Sequence, residues 1–318
     1  MELHKPLKNG HIDWDNDTLA SSSHPVLLQH HLAHIPINTP SHQVSVDLKQ
    51  SALLEPFNVD PDLIEILKIN QQLIDQIEPI LQLYPISHSG NTSPRHTNIT
   101  YSSSLIHIIA TTSLFNLGRF SQSEKLYNQD YRQIVKAKYG STIIYLKQRL
   151  GFSSNRLLLD KTGKQIHYFT ADQSLMKDGL DYKVVKNEWP YGIPKNYQHL
   201  TIWSRLPLLN PKLSSSNNDW KLAHEKGLSG FVNLSNQLIH KLEEFKLDHS
   251  HNLKQLQSSA KENLTESRKG LGDEIVKFIE NRWKVQEGFE DLLWFLNPVY
   301  LQSCPELPHF HLLVKTSN

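Results

Sequence analysis

The chain has a single cysteine, Cys304, among 318 residues. No intrachain disulfide can therefore staple it, and the residue usage fits a reducing compartment. No segment approaches the ~18 uninterrupted apolar residues of a membrane span, and the opening Met1-Glu2-Leu3-His4-Lys5-Pro6 lacks the basic-then-apolar order of a secretion signal. Charge of either sign is not in excess either: 33 basic against 32 acidic side chains leave a net charge of +1. Such a chain has no long-range field to gather nucleic acid or an anionic membrane. These absences predict a soluble cytoplasmic protein with no nucleic-acid or membrane partner, the nucleus being also compatible with them.

Histidine is abundant, at 18 residues. Many of these (His24, His30, His31, His34, His42, His88, His96) stand in polar stretches with Ser and Pro and read as solvent-exposed. His30-His31-x-x-His34 has metal-like spacing, but its setting is a loose polar segment. Residues 1–50 hold apolar fragments too short to offset the entropy of ordering, which predicts a flexible arm.

Downstream, Asp60-Pro61-Asp62 followed by apolar residues at helical spacing from Leu63 to Ile77 predicts a helix from about 61 to the low 80s, with Pro79 kinking or ending it. Ser121-Gln122-Ser123-Glu124 reads as a capping box that opens a helix running to Gly140, and a further helix starts at Ser141. The region 51–150 is thus helical. Residues 151–180 read as a linker or hairpin, with a turn at Asp160-Lys161-Thr162-Gly163. The segment 181–318 reads as an α+β domain: a strand at His199–Leu206, a helical stripe from Phe231 to Phe245, a helix from Asp273 to Trp283, and closing strands at Leu292–Leu296 and His309–Val314. A polar insertion, 246–270, interrupts it. The expected fold class is α+β, with a helical N-terminal half and a C-terminal antiparallel sheet carrying packed helices.

The most site-like pattern is Pro308-His309-Phe310-His311-Leu312. Strand side chains alternate, so His309 and His311 share one face while Phe310, Leu312 and Val314 take the other. The strand from His199 likewise puts His199, Thr201, Trp203 and Arg205 on one side. If both strands join one sheet, His199, Arg205, His309 and His311 form an aromatic-lined cationic pocket suited to a phosphate or sugar phosphate. Two imidazoles on one strand could alternatively hold zinc with His199 or Glu188 as a third ligand, but the sequence marks no complete metal set. No cofactor motif is legible.

Leu117-Gly118-Arg119, Tyr139-Gly140-Ser141, Glu188-Trp189-Pro190-Tyr191-Gly192-Ile193, His199-Leu200-Thr201-Ile202-Trp203, Trp294-Phe295-Leu296-Asn297, Leu301-Gln302-Ser303 and His309-Phe310-His311 occur in that order. In order and spacing they resemble the fungal N-acetylglucosamine-induced protein 1 family over roughly residues 115–315. The resemblance implies a fungal intracellular protein of the amino-sugar response and names no reaction. The succession of strand, helix, strand and His-x-His strand is more distantly similar to the histidine-triad superfamily of nucleotide hydrolases and transferases. That likeness implies His311 as the catalytic nucleophile, His309 as the first triad position, Asn297 as an amide facing sugar or phosphate, and Gln302 and Ser303 as a phosphate-contacting pair. The third triad position here is Leu313, and Gln302 stands seven residues before His309. The expected partner is a phosphorylated nucleotide or sugar acting at a pocket shared by His199, Arg205, Asn297 and His311. The alternative is a non-enzymatic regulator or adaptor whose protein partner the sequence does not mark.

Overall fold

A computed structural model describes residues 59–83, 102–152, 157–244, 270–284 and 289–315. The expected flexible arm, its His30-His31-x-x-His34 cluster and all of the 246–270 insertion but Gly270 lie outside the described residues.

Five strands form one antiparallel sheet: β1 (Tyr182–Lys186), β2 (Tyr197–Ser204), β3 (Leu228–Val232), β4 (Leu292–Leu296) and β5 (His309–Lys315), in the order β1-β2-β5-β4-β3. The expected α+β class is therefore the observed one. β5 lies at the centre, and from His309 to Val314 every residue is buried. Residues paired across antiparallel strands project to the same face. The register Thr201↔His311, Trp203↔His309, Val185↔Thr201 and Phe295↔His311 thus gathers one set of side chains. Leu200, Ile202, Phe310, Leu312 and Trp294 point the other way.

That second face is largely apolar. It is covered by α8 (Asp273–Ile279), whose Ile275, Phe278 and Ile279 pack with Trp283 and with Phe169, Met176 and Phe310. The first face is covered in two parts. α2 (Ser102–Thr111) lays Leu105, Ile108 and Ile109 on Phe231, Leu293, Phe295 and Leu313, and α7 (Asn236–Glu244) adds Leu238 and Leu242. The other part is a helical cluster of α1 (Pro61–Leu83), α3 (Ser121–Leu126), α4 (Arg132–Tyr139) and α5 (Thr142–Leu150), burying Leu63, Ile66, Val135, Leu146 and Leu150 against Trp189 and Leu307. α6 (Asn217–Lys226) precedes β3. The helical half and the sheet thus share packed surfaces.

Local chemistry accounts for most boundaries. Asp60 caps α1 through a 2.9 Å bond from the Asp62 amide and is itself held by Lys138 of α4 at 2.9 Å. α1 continues through Pro79 to Leu83 rather than ending there. Gly140, at φ 83°, stops α4, and the Ser141 hydroxyl accepts from the Ile144 amide to start α5. The expected capping box at Ser121 does not form. Phe120 occupies the cap position without a side-chain bond, and Glu124 turns instead to Arg119. Between α3 and α4 the chain widens into a π turn, Tyr127–Tyr131, that stacks the two tyrosine rings 5.5 Å apart.

Three sequence expectations need correction. Phe231 belongs to β3 and not to a helix, because the sheet offers a long-range partner, Leu293, that no local pattern reveals. The polar stretch after β2 contains α6, capped by the Ser216 hydroxyl on the Asp219 amide. The strand at His199 begins at Tyr197 and ends at Ser204, which leaves Arg205 beyond it.

Gly227 joins α6 to β3 at φ +81°, and a Cβ there would collide with the Leu296 carbonyl oxygen and stand 2.8 Å from Leu114 Cδ1. Gly163 has a similar φ, +80°, with no atom near. Gly163→Ala is expected to cost about 1 kcal/mol, the left-handed backbone penalty alone, and Gly227→Ala more than about 2 kcal/mol, strain and overlap together. Urea denaturation reads both, and an equal loss at the two positions would contradict this packing.

Candidate functional site

Where the two helical covers of the first sheet face meet, a cleft remains. The space within it and at its open mouth together is about 690 Å³. Val185, Thr201, Trp203, His309 and His311 form its sheet floor, while Tyr127 and Tyr131 of the π turn and Thr142 and Leu146 of α5 form the roof. The β1–β2 connection contributes Asn187, Glu188, Trp189 and Tyr191, and the segment before β5 contributes Ser303 and Cys304. Arg119 enters from the segment preceding α3.

Beneath the cleft lies a ring of buried polar groups. The Tyr191 backbone amide donates to His199 Nδ1 at 3.3 Å. A backbone N–H can only donate, so His199 Nδ1 accepts there, while His199 Nε2 faces His311 Nδ1 at 2.9 Å and the Asn187 side-chain amide at 3.3 Å. His311 Nε2 lies 3.4 Å from the Asn297 amide nitrogen. The Asn297 amide also meets the Tyr191 hydroxyl at 2.8 Å. The Asn297 side-chain amide donates to the Tyr191 hydroxyl and stands beside His311 Nε2, so Tyr191, Asn297, His311 and His199 form one buried polar network. Phe295 stacks on the His311 ring with centroids 4.6 Å apart.

His309 is held differently. Its Nδ1 lies 2.7 Å from the Leu307 carbonyl oxygen, which fixes the proton on that nitrogen. Its ring lies against Trp203, centroids 4.3 Å apart, and perpendicular to His311. Burial lowers the basicity of all three imidazoles. It takes His199 down to about 3 with the Arg119 charge adding to the effect. His311 is well below its ordinary value through burial and then through His199, His309 and Arg119, while for His309 the Leu307 bond partly opposes burial. All three are neutral at pH 7. Burial also pushes the Cys304 thiol up to about 12, so it stays protonated and unreactive at that pH.

Of the residues singled out in the sequence, His309, His311, Asn297 and Ser303 line the cleft. His199 lies behind it and reaches it through His311. Gln302 donates to the Asn297 backbone oxygen at 2.7 Å and holds the loop from beneath. Arg205 is not brought to this group: with β2 ended, its Nε bonds the buried Asp181 carboxylate at 2.7 Å, where it clamps the start of β1. Among the described residues no set of three His, Cys, Asp or Glu side chains is placed to hold a metal ion. Both Glu188 oxygens are bound by Arg149, at 2.8 and 2.9 Å. Arg119, Tyr127 and Tyr131 were not marked as site residues by any pattern. The Leu117-Gly118-Arg119 and Glu188–Ile193 motifs were the available signal, since both converge here.

Neutral buried histidines make stability fall on acidification. The unfolded chain protonates a histidine near 6.5, whereas the folded state holds His199 unprotonated to about 3. The unfolded state therefore binds more protons in that window, and stability is lost as pH drops through it. The melting temperature should fall from pH 7 to pH 4.5, and His199→Phe should show a shallower fall. An unchanged slope in that variant would contradict a neutral His199.

No helix among the described residues is long and apolar enough to cross a membrane. In comparisons with known proteins, none of the curated sequences matches this chain. A solved structure titled "Crystal Structure of HTC1" is similar at 19% identity and a TM-score of 0.36, covering 69% of this chain and 86% of that one, and a likeness of that size carries no argument about fold or function. The profile described as "Protein of unknown function (DUF3605)" matches residues 102–261, from α2 through the β1–β2 connection and β3 into the insertion after α7. That match spans half of the sequence, and the chain belongs to the DUF3605 family.

Proposed function

We propose that the cleft binds a small ring-bearing polar metabolite, a sugar or nucleoside, with a phosphate substituent received beside Arg119. The observation that carries this reading is the composition of the cleft. Neutral imidazoles, the Asn187 and Asn297 amides and hydroxyls lie on its floor and rim, the rings of Trp203, Tyr127 and Tyr131 on its walls, and the Arg119 guanidinium and Lys186 at its sides. Aromatic faces suit the apolar face of a sugar or base, and several directional hydrogen-bonding groups suit its hydroxyls. A floor of charged histidines would favour a bare polyanion. A neutral floor favours an uncharged ring with the anion held at the edge.

Arg119 supports the phosphate part. Its Nη1 bonds Glu124 at 2.9 Å and its guanidinium lies 4.1 Å from the Tyr127 ring centroid, so it is oriented before any ligand arrives. The likeness of the Glu188–Ile193 and His309–His311 motifs to N-acetylglucosamine-induced proteins makes an amino sugar or its phosphate the first ligand to try. The likeness to the histidine-triad superfamily adds nucleotides. The same resemblances and the low cysteine content support a fungal intracellular setting. A regulator that senses such a ligand without altering it is the second reading, and it is supported by Leu313 standing where a third histidine would.

Isothermal titration calorimetry of the whole protein with N-acetylglucosamine, N-acetylglucosamine 6-phosphate and nucleoside monophosphates tests the proposal. At least one should bind with a dissociation constant below millimolar. Arg119→Gln should weaken a phosphorylated ligand about tenfold, about 1.4 kcal/mol, while leaving its unphosphorylated counterpart unaffected. Product analysis of the same mixtures separates an enzyme from a sensor. Absence of binding by all of them at millimolar concentration would overturn the reading.

A further inference from the structure

We propose that the reactive nitrogen of this cleft is His309 Nε2, and not a nitrogen of His311. The proposal rests on the reading of the cleft as a ligand site and names the atom that would act there.

The two histidines share a strand face but differ in what their nitrogens are free to do. His311 is committed at both ends. Its Nδ1 lies 2.9 Å from His199 Nε2, and its Nε2 lies 3.4 Å from the Asn297 amide nitrogen. For His311 to attack or accept a proton from a ligand, one of these buried contacts would have to break, leaving its partner short of a hydrogen bond.

His309 has the opposite arrangement. The Leu307 carbonyl, 2.7 Å from Nδ1, holds the proton on that side, so Nε2 keeps its lone pair, and among the described residues Nε2 has no partner in the protein. The ring lines the cleft and lies along the indole of Trp203, 4.3 Å away. When Nε2 takes a proton the resulting imidazolium remains bonded to Leu307 and rests against that aromatic face, which stabilises a cation. The carbonyl thus orients the ring and the indole supports its charged form, the two requirements of a general base.

With a phosphate ester in the cleft, the step balances as follows. A water O–H bond breaks, its proton forms a bond to His309 Nε2, and its oxygen bonds to phosphorus. The bond from phosphorus to the ester oxygen breaks, and the departing alkoxide takes the proton back from Nε2. The products are inorganic phosphate and the free alcohol, with His309 restored. His199 acts as a positioning residue, since it holds His311 in place from behind the cleft.

Diethyl pyrocarbonate, which ethoxycarbonylates unprotonated accessible imidazole nitrogens, tests the assignment on the intact full-length chain. At pH 7, with peptide mapping by mass spectrometry, His309 should be labelled at a rate within about tenfold of the exposed His240. His199 and His311 should be labelled at least a hundredfold more slowly. A His309→Gln variant with an unchanged circular dichroism spectrum should lose that label and gain none at His311. Labelling of His311 ahead of His309, or of neither while His240 reacts, would overturn the proposal. Failure of the ligand reading is distinguishable: if His309 is labelled but no compound in the calorimetric panel binds or slows the labelling, the site has no such ligand while the open nitrogen stands.

Discussion

A buried neutral imidazole has two nitrogens and one proton, and the fold around it decides where that proton sits. The central strand of this sheet carries two such rings on one face, and β2 adds a third beside them. Burying three histidines together would be prohibitive if they were charged, because desolvation and mutual repulsion act in the same direction. The arrangement is stable because each ring is neutral and each has polar partners at hand. The Tyr191 amide meets His199, His199 and Asn297 meet His311, and the Leu307 carbonyl sets the proton of His309. The rest of the site follows from this constraint, including which nitrogen remains available to a ligand.

The surrounding structure serves to hold that geometry. The β1–β2 connection supplies both the Tyr191 amide and Trp189, and it is fixed from the helical side. Arg149 grips the Glu188 carboxylate with two bonds, and Asn70 of α1 donates to the Glu188 carbonyl at 2.9 Å while its own side-chain oxygen accepts from Ser123. The segment before β5 is fixed from the sheet side through Gln302 and the Asn297 carbonyl. The cleft is thus framed by two loops, each pinned to a different layer. Side chains positioned by packed elements and paired charges hold their places better than those on free loops.

Part of this was legible in the sequence and part was not, for physical reasons. Alternation exposed the closing strands and the shared face of His309 and His311, because a strand's period of two is a local property. Helix α1 was legible from its cap, its proline and its apolar spacing. β3 was not, since Phe231 is apolar in either a strand or a helix and only its pairing with Leu293 decides. α2 escaped notice because half of its sequence, Leu105-Ile106-His107-Ile108-Ile109, is a nearly continuous apolar run that shows no helical stripe. Arg205 was grouped with the histidines by extending the strand's alternation one residue too far. The gathering of Arg119, Tyr127 and Tyr131 over the sheet depends on how α3 and α4 pack, and no spacing encodes that. The likeness to a histidine triad drew attention to His311, whereas the hydrogen-bond partners, invisible in sequence, distinguish the two rings.

The proton positions on these rings can be observed directly. Long-range ¹H–¹⁵N correlation spectra of protein labelled at histidine nitrogens report, for each ring, whether it is neutral and which nitrogen carries the proton. At pH 7 the account requires His309 to be neutral with its proton on Nδ1, and His199 and His311 to be neutral as well. An imidazolium at His199 or His311, or a His309 protonated on Nε2, would contradict it.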